Sequence, residues 1–182
     1  DTSSKSRSVI DVVFFLFFFG STNGLLDDVR EKLWDIVNQV NSYRPAPEFR
    51  IGVIGFSRPS FGAKNSYVKV IQPLTTDYDL LNFELYKLKP SVEKGDQIVG
   101  EAINSAIRNM SWSGDEDALK IIYLVGNGMV NAGGNDYRAA CDLAVKKGII
   151  VNTLYCRTRN NVEKELPGWR EIARLAGGEQ FD

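Results

Sequence analysis

Short apolar runs alternate along this chain with longer segments whose apolar residues recur at every third or fourth position. Eight consecutive apolar residues, 12–19, read as a strand buried on both faces, the pattern of the centre of a parallel sheet. Gly20-Ser21-Thr22-Asn23-Gly24 then turns the chain into a helix over 24–43. That helix carries Leu26, Val29, Leu33, Ile36, Val37 and Val40 on one face. Arg44-Pro45-Ala46-Pro47 ends it. Residues 50–56 form a second buried strand, 58–66 a Gly/Pro/Ser turn region, and 67–74 a strand hairpinned to the second. A short helix over 77–88 starts from Thr76 or Asp77 as cap.

Gly95 and Asp96 open the next helix, with Ile98, Ala102, Ala106, Ile107 and Met110 inward, and 111–117 is a polar loop. A third buried strand, 119–125, ends at Gly126-Asn127-Gly128. Helix 137–147 closes on Gly148 as a left-handed cap, and 149–156 is a fourth buried strand. Helix 162–176 is expected to break near Pro167 and to stop at Gly177-Gly178, with a last strand from Glu179. This spacing predicts an α/β class, a three-layer α/β/α sandwich on a mainly parallel sheet, as one domain over 1–182. A strand, a polar turn and a helix in succession place 20–24 at the carboxyl edge of the sheet, where open α/β folds bind their ligands.

Composition narrows the chemistry. The 182 residues contain no histidine, which excludes Ser-His-Asp and Cys-His catalysis, a His base and every His-containing zinc site. With 22 basic against 23 acidic residues there is no electrostatic footprint for nucleic acid or an anionic membrane. No apolar run reaches the roughly 20 residues of a membrane span. Lys5 and Arg7 ahead of an apolar run imitate a signal peptide, but Asp11 interrupts it, no small-x-small cleavage site follows, and there is no initiator Met. The expectation is an export signal removed before residue 1.

Two cysteines cannot make a Cys-rich metal site. Cys141 falls in the first turns of a helix and Cys156 at the carboxyl end of the strand after it, so both lie near the carboxyl edge. A disulfide closing about 15 residues is one expectation, worth up to about 3 kcal/mol and implying an oxidising compartment. Two free buried thiols are the other.

Five segments in order resemble a von Willebrand factor type A domain of the bacterial kind. They are Asp11-Val-Val-Phe14 with the Gly20-Ser21 turn, Arg50-Ile-Gly-Val-Ile-Gly-Phe56, Gly100-Glu-Ala-Ile103, Lys120-Ile-Ile-Tyr-Leu-Val-Gly126 and Ala144-Val-Lys-Lys-Gly-Ile-Ile-Val-Asn-Thr153. The resemblance covers almost the whole chain and implies a central sheet with one antiparallel edge strand. It also implies a metal-ion-dependent adhesion site, in which an Asp-x-Ser/Thr-x-Ser loop, a Thr and an Asp hold a divalent cation that captures a partner's carboxylate. Such a cation needs converging hard oxygen ligands with carboxylates to offset its charge. By alignment with that family the five positions here are Phe17, Phe19, Ser21, Gln97 and Asn127. One hydroxyl and two amides should not hold Mg²⁺ against water, so the resemblance implies a degenerate site with no metal and no cofactor. A displaced cation site using Asp96 or Asp136 is the competing expectation.

Phe17 to Phe19 admit two readings: core filling by alternate faces of a strand, or an aromatic surface where the cation used to sit. The expected function is a non-enzymatic protein-interaction or adhesion module, with no catalytic residue, no nucleic acid and no membrane insertion. Its contact surface is the carboxyl-edge loops 17–24, 95–97 and 127–135, and its setting a periplasm, cell surface or extracellular space. The alternatives are a small anion or nucleotide at the Gly20–Gly24 turn, through backbone N–H groups at the helix start, or a purely structural domain of a larger exported protein. The 20–24 turn is neither G-x-S-x-G nor a P-loop, and Asp27 and Asp28 in the next helical turn oppose an anion there.

Overall fold

The computed structural model describes residues 8–17, 25–56, 59–65, 67–88, 99–130, 136–157 and 160–182. Among the described residues six strands form one sheet: β1 (Val9–Phe17), β2 (Glu48–Phe56), β3 (Val68–Thr75), β4 (Leu119–Gly126), β5 (Ile149–Tyr155) and β6 (Gly177–Phe181). Their spatial order is β3-β2-β1-β4-β5-β6. All neighbours run parallel except β2 and β3, which pair antiparallel at one edge. Among the described residues five α-helices accompany them: α1 (Leu25–Asn41), α2 (Tyr78–Lys87), α3 (Val99–Asn109), α4 (Tyr137–Lys146) and α5 (Val162–Leu175).

β1 sits in the middle of the sheet and sends alternate residues into two cores, as a period of two requires. Val13 and Phe15 pack with α3, α4 and α5, through Ile103, Ala106, Ala140, Ala144, Trp169 and Ile172. Val12, Phe14 and Leu16 pack on the other face with Leu33, Val37 and Val40 of α1 and Leu81 and Leu85 of α2. The division of helices follows from chain direction. From β1 the chain crosses through α1 to β2 on one side, and from β4 through α4 to β5 on the other. Right-handed crossovers in opposite directions place their helices on opposite faces.

The periodicity was a good guide to the helices. Leu33, Val37 and Val40 are buried, and Ile36 is half-buried; the side chains of Leu26 and Val29 lie outside the described residues. Asp77 is the cap of α2, its Oδ1 accepting the Leu80 N–H at 3.0 Å. Gly148 has φ 70°, a backbone region that L side chains rarely adopt, and ends α4 as expected. The 18–19 end of the first strand and the Gly95, Asp96 and Ile98 positions lie outside the described residues.

Two expectations need correction. α5 runs unbroken through Pro167. Pro167 lacks only the N–H that would reach the Glu163 carbonyl in the first turns, and buried Leu166 and Trp169 hold the helix against the sheet on either side. The last strand begins at Gly177 rather than Glu179 and pairs with Val151 there.

The buried charge of the sheet lies at its amino end. Asp11 is 0% exposed and accepts both Arg50 Nε at 2.8 Å and Arg50 Nη2 at 2.7 Å. The Ser113 N–H adds a third bond at 2.7 Å, and Arg50 also donates to the Ser111 carbonyl at 3.0 Å. Asp11 and Arg50 are register partners on β1 and β2. The hydrogen bond to Asp11 lifts the Arg50 guanidinium above its ordinary value, against the opposing pull of its partial burial. This cluster ties the 111–113 loop to the central strands.

Candidate functional site at the carboxyl edge

β1, β2, β4 and β5 end together, with Phe17 opposite Phe56, Leu16 opposite Val125 and Gly126 opposite Tyr155. This is the edge where the five adhesion-site positions were placed. Phe17 is the closing residue of β1. Its side chain, all of Phe19, Ser21 and Gln97, and the Gly20–Gly24 turn lie outside the described residues. Asn127 directly follows β4 and is half-buried. Asp136 caps α4, its Oδ1 accepting the Arg138 N–H at 2.9 Å.

The described part of this edge is a loop strapped at both ends. At its start, the Gly126 carbonyl accepts the Cys156 N–H at 2.7 Å. In its middle, Gly128 donates its N–H to Glu165 Oε2 at 3.0 Å and accepts from Trp169 Nε1 at 2.9 Å. Gly128 has φ 94°, so only glycine takes this turn without strain. At the far end Val130 is buried against α5, and a Cβ on Gly168 would lie 2.5 Å from Val130 Cγ2.

Glu165 is the centre of the strap. It is 7% exposed, and besides Gly128 it accepts the Tyr155 hydroxyl at 2.7 Å. Its place in the first turn of α5 gives its charge the favourable end of the helix dipole. Hydrogen bonds and dipole together offset the desolvation of a carboxylate. The Tyr155 and Trp169 rings meet at 5.9 Å, and Thr153 Oγ1 donates to the Trp169 carbonyl at 3.0 Å. Sequence reasoning missed Glu165, because beside Glu163 and Lys164 it reads as one more charge on a helix surface. The loop holds Met129 outward, 41% exposed, between half-buried Asn127 and buried Val130.

The disulfide expectation is overturned: Cys141 and Cys156 are both free. Cys141 belongs to the core beneath α4 and α5, whereas Cys156 packs against the core of the α1 and α2 face. They share an edge but lie on opposite sides of the sheet. Burial pushes the Cys141 thiol up to about 11 and the Cys156 thiol up to about 12. Both should therefore resist iodoacetamide at pH 8 in the folded protein, since the reactive thiolate is scarce, and both should alkylate in urea. Non-reducing mass mapping that finds a 141–156 bridge would contradict this.

No protein-family model matches the chain, and no curated protein matches it. Solved structures do. An aerotolerance-related membrane protein from Bacteroides fragilis, carrying multiple mutations to serine, superposes with TM-score 0.62 at 21% identity, over 94% of this chain and 90% of that one. Proximal thread matrix protein 1 from the mussel byssus gives TM-score 0.67 at 16% identity, over 96% of this chain. The match spans 42% of the length of that mussel chain. The VWA domain of SpRpn10 gives 0.64 at 12% identity, over 96% and 87%. The strand order and the helices on both faces define a three-layer α/β domain. It carries the von Willebrand factor type A fold.

Proposed function

We propose that this domain is a non-enzymatic protein-interaction module that binds its partner through the carboxyl-edge loops, with no cation in the contact. The observation that carries this reading is the strap on Gly128, which holds Met129 exposed on an ordered loop. A preordered loop loses little freedom on binding, and a methionine adapts to varied apolar surfaces. The donor chemistry argues in the same direction. Asn127 offers an amide where the family offers a carboxylate, Glu165 is engaged by Gly128 and Tyr155, and Asp136 serves as a helix cap. Among the described residues no three His, Cys, Asp or Glu side chains come together as a metal site. By residue type alone, one hydroxyl and two amides at the adhesion-site positions suit Mg²⁺ poorly.

An exported setting belongs to the same proposal. Two of the similar structures are a membrane protein and a byssus matrix protein, and no described helix is long and apolar enough to cross a membrane. The free cysteines withdraw the redox argument for it.

Two measurements test the reading. Calorimetric titration with Mg²⁺, Mn²⁺ and Ca²⁺ in metal-free buffer should give no heat at millimolar metal; micromolar binding of any of them would restore a cation-dependent mechanism. A photo-crosslinking residue at position 129 should trap a partner in extracts of the source cells. The same residue at Leu119, which is 42% exposed but begins β4 at the opposite edge, should not. Equal trapping at both positions would remove the carboxyl edge as the contact surface.

A further inference from the structure

A second site lies away from the loop at Gly128, on the flank where the antiparallel strand meets α3. There a pocket of about 410 Å³ is lined by Lys64, Val68, Lys69, Val70, Ser105, Arg108 and Asn109. Among the described residues Lys64 and Arg108 bring charge to it and no acid lines it; Lys69 borders it through the strand, since alternation turns its side chain to the other face from Val68 and Val70. In a chain whose formal net charge is −1, that is a local concentration of positive charge, and a cleft focuses such a field. Lys64 and Lys69 are exposed and make no ion pair among the described residues. Arg108 has one distant partner, Glu101 at 3.9 Å, too far for a hydrogen bond.

The floor is polar as well. Ser105 is 5% exposed, and its Oγ accepts the Asn109 Nδ2 at 2.8 Å. As an acceptor in that bond it keeps its own proton to donate. A buried hydroxyl beside Lys64 and Arg108, held in orientation by a neighbouring amide, offers a donor set matched to a tetrahedral oxyanion. The volume falls in the range of small-molecule sites, about 300–1,000 Å³, and so leaves room for more than one phosphate group. Val68 and Val70 supply an apolar wall.

We propose that this pocket binds a phosphate-bearing anion, with Lys64 and Arg108 neutralising its charge and Ser105 donating to one of its oxygens. This site is independent of the protein contact proposed at Gly128 and Met129. The source of the phosphate is either a soluble ester or a lipid headgroup, since both present the same oxygens.

The test is titration with inorganic pyrophosphate at low salt, followed by backbone amide shifts in NMR. Shifts should centre on 64–70 and 105–109. The Lys64→Gln and Arg108→Gln variants should each bind about tenfold more weakly, as expected for loss of one charge-assisted contact. Ser105→Ala should also weaken binding while leaving the amide spectrum folded. Lys146→Gln removes an exposed charge already paired with Asp142 on α4, and should bind as the parent does. Flotation with vesicles of phosphatidylglycerol against phosphatidylcholine separates the sources: co-flotation lost in the Lys64→Gln/Arg108→Gln double variant assigns a headgroup, and its absence alongside pyrophosphate binding assigns a soluble ester. No shift at roughly 10 mM pyrophosphate, or a loss as large in Lys146→Gln as in Lys64→Gln, would overturn the proposal.

Discussion

Replacing Arg50 by Met should cost about 3–5 kcal/mol, because it strands the Asp11 carboxylate in the core. Asp11 is 0% exposed, and two of its three hydrogen bonds come from Arg50. The remaining donor, the Ser113 N–H, cannot neutralise the charge. In a chain of this size the loss should lower Tm by roughly 10 °C. The pair itself need not add net stability, since burying two charges costs about what their attraction returns. A Asp11→Leu/Arg50→Met double variant should therefore be more stable than Arg50→Met alone, although it leaves the Ser113 N–H without its acceptor. Urea denaturation of the three proteins decides this. A single variant within about 1 kcal/mol of the parent would mean that the 111–113 loop opens and lets water reach Asp11. The cluster lies at the amino end of the sheet, so photo-crosslinking from position 129 should persist in whatever fraction stays folded.

The strands were legible because they are buried on both faces. Residues 12–16 carry no polar interruption, and each faces a helical layer. The antiparallel edge was legible from the short turn region before Val68, since a parallel pair needs a long crossover. The positions of the cysteines along the strand axis were also read correctly. Their error was one of face. Cys156 follows Leu154 in pointing to the α1 and α2 side, while α4 carries Cys141 on the other. Only the combination of strand parity with crossover direction separates them. Glu165 was illegible for a different reason. Its acceptor role depends on Gly128, 37 residues away, and on Tyr155 across a loop. No local pattern distinguishes a carboxylate with such partners from Glu163, which has none of these bonds. The pocket beside Lys64 is likewise assembled from the segment before β3, from β3 and from α3, with all of α2 between them in the chain.

Trp169 should prove the most sensitive position for the order of the carboxyl-edge loop. Its side chain is 1% exposed, packs on Tyr155 and donates to the Gly128 carbonyl. Trp169→Ala removes the ring and the bond together and should cost about 3–5 kcal/mol. Trp169→Phe keeps much of the packing and removes only the donor, leaving the Gly128 carbonyl short of a partner at about 1–3 kcal/mol. The comparison separates stability from loop order. Hydrogen exchange at the Gly128 amide, which donates to buried Glu165, should accelerate in Trp169→Phe by more than the change in global stability allows. Amides in the centre of β1 should follow global stability alone. Weaker trapping of a partner from position 129 should accompany that local acceleration, since a loosened loop must be reordered on binding. If the Gly128 amide in Trp169→Phe exchanges only as fast as the β1 amides, the indole bond does not hold the loop, and the ordered presentation of Met129 must come from Glu165 and the packing of Val130 against Gly168.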